Sequence, residues 1–312
     1  MTTKEVKTRS ETALPQMALS LVPHRDAMLL LDELNEYAPE HGVGKTIVRT
    51  ENIFLDNTGK LDNVCLVELL AQLCAAHKGY ESLKDGSAVK NGYLAGISNF
   101  SFKKSARLGE SLRLESNQTA EINDVVIISG TVHAGQDCLA TGDIKIYTIK
   151  HPPSEEGELS PPVVFSDQKR GEPQQPNVSN KRSIIYNAVL NKLEKAKLSE
   201  GEGFASAEYC FDEGFPGFSG HFPTGAILPG VVMIDMSIAL CETLLGSPLE
   251  LVSIDRSKFL QVVVPGNRIN VEVNVTESNE QDEILYRVRS KLKHEDKPAA
   301  DLTFSIKKES LT

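Results

Sequence analysis

FPGFSGHFPTGAILPGVVMID, from Phe215 to Asp235, is the stretch on which the reading of this 312-residue chain turns. Gly and Pro crowd its first part, then give way at Pro229-Gly230 to an apolar run that continues as MSIALCETLL. Clustered Gly and Pro mark a loop, and Pro at the head of an apolar run marks a helix start. A loop carrying His221 therefore feeds straight into the helix PGVVMIDMSIALCETLL. That helix is apolar almost all round, so it is expected to be buried on most faces. The acidic residue in its first turns, Asp235, follows His221 by fourteen positions.

Working outward, the same order of elements is found in the first half of the chain. A turn-rich segment, NIFLDNTGKLDN, precedes the helix candidate DNVCLVELLAQLCAAHKGYESL, which is again apolar nearly all round. Beyond the helices, ISNFSFKKSARLGESLRLE from Ile97 matches IDRSKFLQVVVPGNRINVE from Ile254 without a gap, pairing Phe102 with Phe259 and Gly109 with Gly266. VVIISGTVHA, LATGDIKIYTI, RINVEVNV, ILYRVRSKL and ADLTFSIKK read as strands of an antiparallel sheet. Between the halves, the Pro-, Glu-, Gln- and Ser-rich run from Lys150 to Lys181 shows no periodicity and reads as a connection. The expectation is an α+β chain with units at residues 18–149 and 183–309 and a linker at 150–182, each unit a long helix wrapped by an antiparallel sheet.

Composition narrows the function. With 40% hydrophobic and 24% charged residues the chain has a globular balance, and its net charge of -10 argues against general nucleic-acid binding. Five cysteines, without C-x-x-C spacing or a His at ligand distance, indicate neither a disulfide framework nor zinc. There is no Walker loop and no dinucleotide fingerprint, so neither cofactor nor metal is expected. No apolar stretch reaches the ~20 residues of a membrane span, and the N-terminus lacks the apolar core of a signal peptide, so a cytoplasmic protein is expected.

The His221-Phe222-Pro223 loop, Pro229-Gly230 and the following helix resemble the β-hydroxyacyl-acyl-carrier-protein dehydratases, whose fold is the hotdog. The resemblance implies that His221 is catalytic and that an acidic residue fourteen positions on, here Asp235, completes the pattern. In the first half, Glu68 and Gln72 of VELLAQ look like the family's Glu-x-x-x-Gln step, in which the carboxylate is the general acid and the Gln holds it. Phe54 occupies the place of the His there, fourteen positions before Glu68. The second half keeps His221 but has Ala239 four residues after Asp235, where the Gln would stand. The family works as dimers with His and carboxylate facing each other across an interface. The fused chain is therefore expected to be an intramolecular pseudo-dimer of two tandem hotdog domains, with one complete pair, His221 and Glu68. Ala18 to Tyr147 resembles the His-lacking partner of aryl polyene-type biosynthesis, and Gly203 to Lys308 its His-bearing partner.

These residue types suit elimination of water from a 3-hydroxyacyl thioester. A neutral imidazole at His221 removes the α-proton, and Glu68, with its pKa raised by burial among Leu66, Val67, Leu69 and Leu70, protonates the departing hydroxyl. The N–H of Gly230 at the helix N-terminus polarises the thioester carbonyl. Gln72, Phe222, Pro223 and Asp235 are supporting residues. His24 and Arg25 of LVPHRDAMLLLDEL are read as ordering a loop, and His77 as a partner of the first helix's C-terminal dipole. The implied partner is an acyl carrier protein, with Lys103, Lys104, Arg107, Arg256 and Lys258 as candidates for a local basic docking surface, and further homodimerisation is compatible. Alternative readings are a hotdog thioesterase, a non-catalytic acyl-binding or scaffold protein, and pairing of Asp235 with His221 of another chain.

Overall fold

A computed structural model describes residues 13–87, 92–148, 182–222, 225–280 and 283–309. The long helix of the first half, α1 (Val64–Asp85), ends at Gly86, which adopts φ 68° and returns its N–H to the Ser82 carbonyl. Its counterpart, α3 (Gly230–Leu245), ends in the same way at Gly246. Both helices bury most of their residues, including Leu66, Leu69, Leu70 and Leu73 of α1 and Val231, Ile234, Ile238 and Leu240 of α3. At roughly 1.5–3 kcal/mol for each fully buried large aliphatic side chain, these two stripes supply much of the drive to fold. A short helix, α2 (Ile184–Leu190), opens the second half; its Ser183 cap accepts from the Tyr186 N–H, and Ile185 donates back to the Ile53 carbonyl of the first half.

Around the helices runs one antiparallel sheet. The first half contributes β1 (Gln16–Met17), β2 (Glu33–Ala38), β3 (His41–Ile47), β4 (Gly92–Phe102), β5 (Ser111–Ile122), β6 (Val125–Ala134) and β7 (Asp137–Thr148). The second contributes β8 (Leu193–Ser199), β9 (Phe204–Cys210), β10 (Leu249–Phe259), β11 (Arg268–Glu280), β12 (Glu283–His294) and β13 (Lys297–Lys308). Their spatial order is β1-β2-β3-β5-β6-β7-β4-β10-β13-β12-β11-β9-β8. Apart from β1, the second series is the first reflected about the β4–β10 seam. Alternation fixes which face turns inward: along β6, Val126, Ile128 and Val132 are buried while their neighbours are not.

The seam joins the two copies of the repeat seen in the sequence. Ile97 pairs with Ser257 and Phe100 with Ile254, and both Phe100 and Ile254 are fully buried. The matched glycines also share a conformation, Gly109 at φ 83° and Gly266 at φ 81°. A self-complementary pairing of equivalent strands is the geometry of a two-fold dimer interface, here made within one chain. Of the connecting segment expected at 150–182, all but Arg182 lies outside the described residues. No helix among the described residues is long and apolar enough to cross a membrane.

Candidate active site

Between α1 and the N-terminus of α3 lies a cavity of about 520 Å³. Its lining comes from both halves: Glu68, Ala71 and Ala75 follow one face of α1, Tyr93 and Leu94 come from β4, and His221, Phe222, Leu228, Gly230 and Met233 come from the loop and first turn of α3. Phe259 and the following Leu260, Gln261 and Val262 also line it; Leu260 and Val262 are about half exposed, so they form part of a rim.

His221 is 7% exposed, and its Nδ1 lies 2.7 Å from the Ile227 carbonyl. Only a protonated Nδ1 can bond a carbonyl, which leaves the Nε2 lone pair free when the ring is neutral. Burial lowers the His221 pKa and outweighs the opposing attraction of Glu68, so the neutral ring is favoured. Phe222 packs edge-on against His221 with centroids 4.7 Å apart and also touches Tyr93. Pro223 lies outside the described residues.

Glu68 is 3% exposed. Gln72, one turn on, donates to its Oε1 at 3.0 Å and to the Met28 carbonyl at 2.8 Å, while its own Oε1 accepts from Leu30 and Leu31. Every hydrogen-bonding position of the amide is thus used, and Glu68 is held from one side. The expected upward pKa shift of Glu68 is not found. Burial does push it upward, but the hydrogen bond from His24, the attraction of either imidazole when protonated, and the Gln72 amide together overcome that push and hold the carboxyl at about 2. Sequence reasoning saw the apolar neighbours of Glu68 and not the partners brought to it by the fold.

His24, expected to order a loop, lies instead against Glu68 and His221. The structure places its Nε2 3.5 Å from Glu68 Oε1 and its ring 5.4 Å from that of His221. Arg25 does order the loop, donating to the Val22 and His24 carbonyls. The loop is clamped to the other half: the Arg25 N–H donates to the Gly220 carbonyl at 2.7 Å, and a Cβ on Gly220, at φ 79°, would stand 1.9 Å from the Arg25 oxygen. Only glycine fits there, one residue before His221. The ring nitrogens of His24 and His221 and the carboxylate oxygen of Glu68 all lie within 4.8 Å of one another.

Gly230 is the first residue of α3, where N–H groups have no partner inside the helix. A Cβ there would approach the Phe259 ring to 3.1 Å, so glycine keeps the helix end open to the cavity. One other expectation is corrected. His77 is not at a helix end, because α1 continues to Asp85; it bonds the Ala38 carbonyl at 2.7 Å and lines the cavity. None of Lys103, Lys104, Arg107, Arg256 and Lys258 lines the cavity.

Asp235 is not beside His221. It borders a separate cavity of about 40 Å³ at the N-terminus of α1, with Asp62, Asn63, Arg182 and Tyr186. The loop carrying Lys103, Lys104 and Arg107 lies on this side, where Ser105 bonds Glu250 and Arg107 bridges to Lys60, two further residues of the small cavity's wall; Arg256 and Lys258 are in β10.

Residues 16–156 match the family model of ApeP-like dehydratases, and residues 197–302 that of ApeI-like dehydratases. The 3-hydroxyacyl-[acyl-carrier-protein] dehydratase FabZ of Lactobacillus helveticus is 34% identical over 140 residues, covering 41% of this chain and 87% of that protein. FabZ of Anaeromyxobacter sp. is 39% identical over 71 residues, 20% of this chain and 46% of its own length. FabZ of Rickettsia typhi is 30% identical over 98 residues, 29% of this chain, and is spanned over 66% of its length, so some relatives are matched only in part. A hot dog fold protein of unknown function from Alicyclobacillus acidocaldarius superposes with a TM-score of 0.52 at 10% identity, covering 92% of this chain and 98% of the other. The dehydratase domain of RzxB from Pseudomonas fluorescens gives 0.52 at 12% identity over 92% and 99%. At those identities the two structures show the fold, a double hotdog, and with the sequence matches they establish that this chain belongs to the 3-hydroxyacyl-[acyl-carrier-protein] dehydratase family as a tandem fusion.

Proposed function

We propose that the chain removes water from a 3-hydroxyacyl thioester on an acyl carrier protein, giving the trans-2-enoyl thioester, at one centre shared by its halves. The observation that carries this reading is the meeting of His221 from one half and Glu68 from the other in a cavity lined by apolar chain and headed by the α3 N-terminus. His221 Nε2 takes the α-proton, and Glu68 passes a proton to the leaving hydroxyl. The thioester oxygen, as negative charge builds on it, meets the Gly230 N–H and the positive end of the α3 dipole. Residues 18–149 and 183–309 are assigned as the two hotdog units, with 150–182 connecting them, in a cytoplasmic enzyme of fatty-acid-like or polyene-like biosynthesis. Gln72 and Phe222 support the reading, the first by holding Glu68 and the second by packing on His221.

The test is incubation of the protein with 3-hydroxyacyl chains of graded length on a carrier protein, read by mass spectrometry. Loss of one water, reduced by about 10²–10⁴ in His221→Ala, is the expected result. Release of free acid instead would make the protein a thioesterase, and no reaction at any length would make it a binding protein.

A further inference from the structure

Water loss needs a proton delivered to the departing hydroxyl, and Glu68, the carboxyl that faces His221, is in contact with a second imidazole. The group placed to hold the proton is His24. Its Nε2 is 3.5 Å from Glu68 Oε1, the ring is 6% exposed, and its Nδ1 has no hydrogen-bond partner among the described residues. The main-chain clamp between Arg25 and Gly220 ties this ring to the loop that carries His221.

We propose that His24 is a positioning residue of the dehydration, fixing Glu68 and storing the proton that Glu68 delivers to the departing hydroxyl. The inference rests on the dehydratase reading above. In the first step, His221 Nε2 takes the α-proton, the C–H electron pair becomes the Cα=Cβ bond, and the Cβ–O bond breaks. The hydroxyl leaves as water with the proton from the His24–Glu68 pair. His221 then carries one proton more and the pair one fewer. Transfer from His221 to Glu68, whose ligand atoms lie within 4.8 Å of both rings, restores the starting state with no net proton change.

The test compares two leaving groups on the same carrier-bound chain, hydroxide from a 3-hydroxyacyl thioester and chloride from a 3-chloroacyl thioester. Chloride departs without a proton and needs only the base. His24→Phe is expected to slow water loss by about 10²-fold while chloride loss stays within about threefold of wild type. His24→Gln keeps an N–H donor but stores no dissociable proton; it is expected to follow His24→Phe for water and wild type for chloride. Equal damage to both reactions in His24→Phe, or restored water loss in His24→Gln, overturns the inference. If wild type eliminates neither group, the dehydratase reading itself fails, which is a different result. Carbon-13 NMR titration of the Glu68 carboxyl, assigned with Glu68→Gln, is an activity-independent check: His24→Phe raises its pKa by about one unit or more, and no change counts against the proposal.

Discussion

The two central helices begin at equivalent places, yet one N-terminus opens on about 520 Å³ and the other on about 40 Å³. Position by position, His221 answers to Phe54, Gly230 to Asn63, Glu68 to Asp235 and Gln72 to Ala239. At the open end, Gly230 has no side chain and leaves the helix terminus accessible. At the closed end, Asn63 donates to the Leu251 carbonyl at 2.9 Å, and Phe54 is fully buried. Asp235 keeps a carboxylate where the open site has Glu68, but its neighbours differ. Burial and the charge of Asp62 push its pKa well above the usual range, and Arg182 only partly opposes them. Asp62, crowded though part of its surface is accessible, is pushed up to about 7 by burial despite the Ser183 hydroxyl and the Arg182 charge. The same scaffold thus holds one carboxyl ionised and another protonated, by giving the first hydrogen-bond donors and the second a like charge.

Exchanging the residues that distinguish the two ends breaks this comparison most severely. His221→Phe is expected to lower dehydration by about 10²–10⁴ with little change in melting temperature. The reverse change, Phe54→His, places a polar ring in a full core; it should cost about 3 kcal/mol or more in urea unfolding and leave the rate within about twofold. A gain of activity in Phe54→His would mean that the second end is a usable site.

A smaller effect separates the carboxyls by pH. Unfolded Asp ionises near 3.9, whereas folded Asp235 remains protonated well above that value. From about pH 4 upward the unfolded chain releases a proton that the folded one keeps, so this group destabilises the fold increasingly as pH rises. Asp235→Asn removes that slope, and its melting temperature relative to wild type should be higher at pH 8 than at pH 5, whatever constant offset the amide introduces. Glu68→Gln has the opposite basis: a carboxylate held at about 2 stabilises the fold above pH ~4.3, a contribution lost as pH falls through about 2. The smallest change expected is Asn63→Ala, about 1–2 kcal/mol for the lost bond to Leu251 with activity kept.

Much of this architecture was legible in the chain. The apolar helices, the alternating strands and the repeat from Ile97 and Ile254 are local patterns, and the seam uses the very segments that repeat. The His221 loop was legible because Gly and Pro punctuate it. What escaped were meetings between distant segments. His24 precedes Glu68 by 44 positions and reaches it through a backbone clamp to Gly220 that no periodicity encodes. The Glu68 environment was misjudged for the same reason, since its sequence neighbours are apolar and its spatial neighbours are not. Asp62, Arg182 and Asp235 come from three separate stretches, and only folding makes them a cluster.

The central claim is that one centre, drawing its base from the second half and its carboxylate from the first, does the chemistry. It is tested most directly by comparing Glu68→Gln with Asp235→Asn in the carrier-bound dehydration assay. The account predicts a loss of about 10²-fold or more for Glu68→Gln and a rate within about threefold of wild type for Asp235→Asn. The reverse order, with Asp235→Asn the damaging change, would contradict it and move the reaction to a pairing that this fold does not make within one chain.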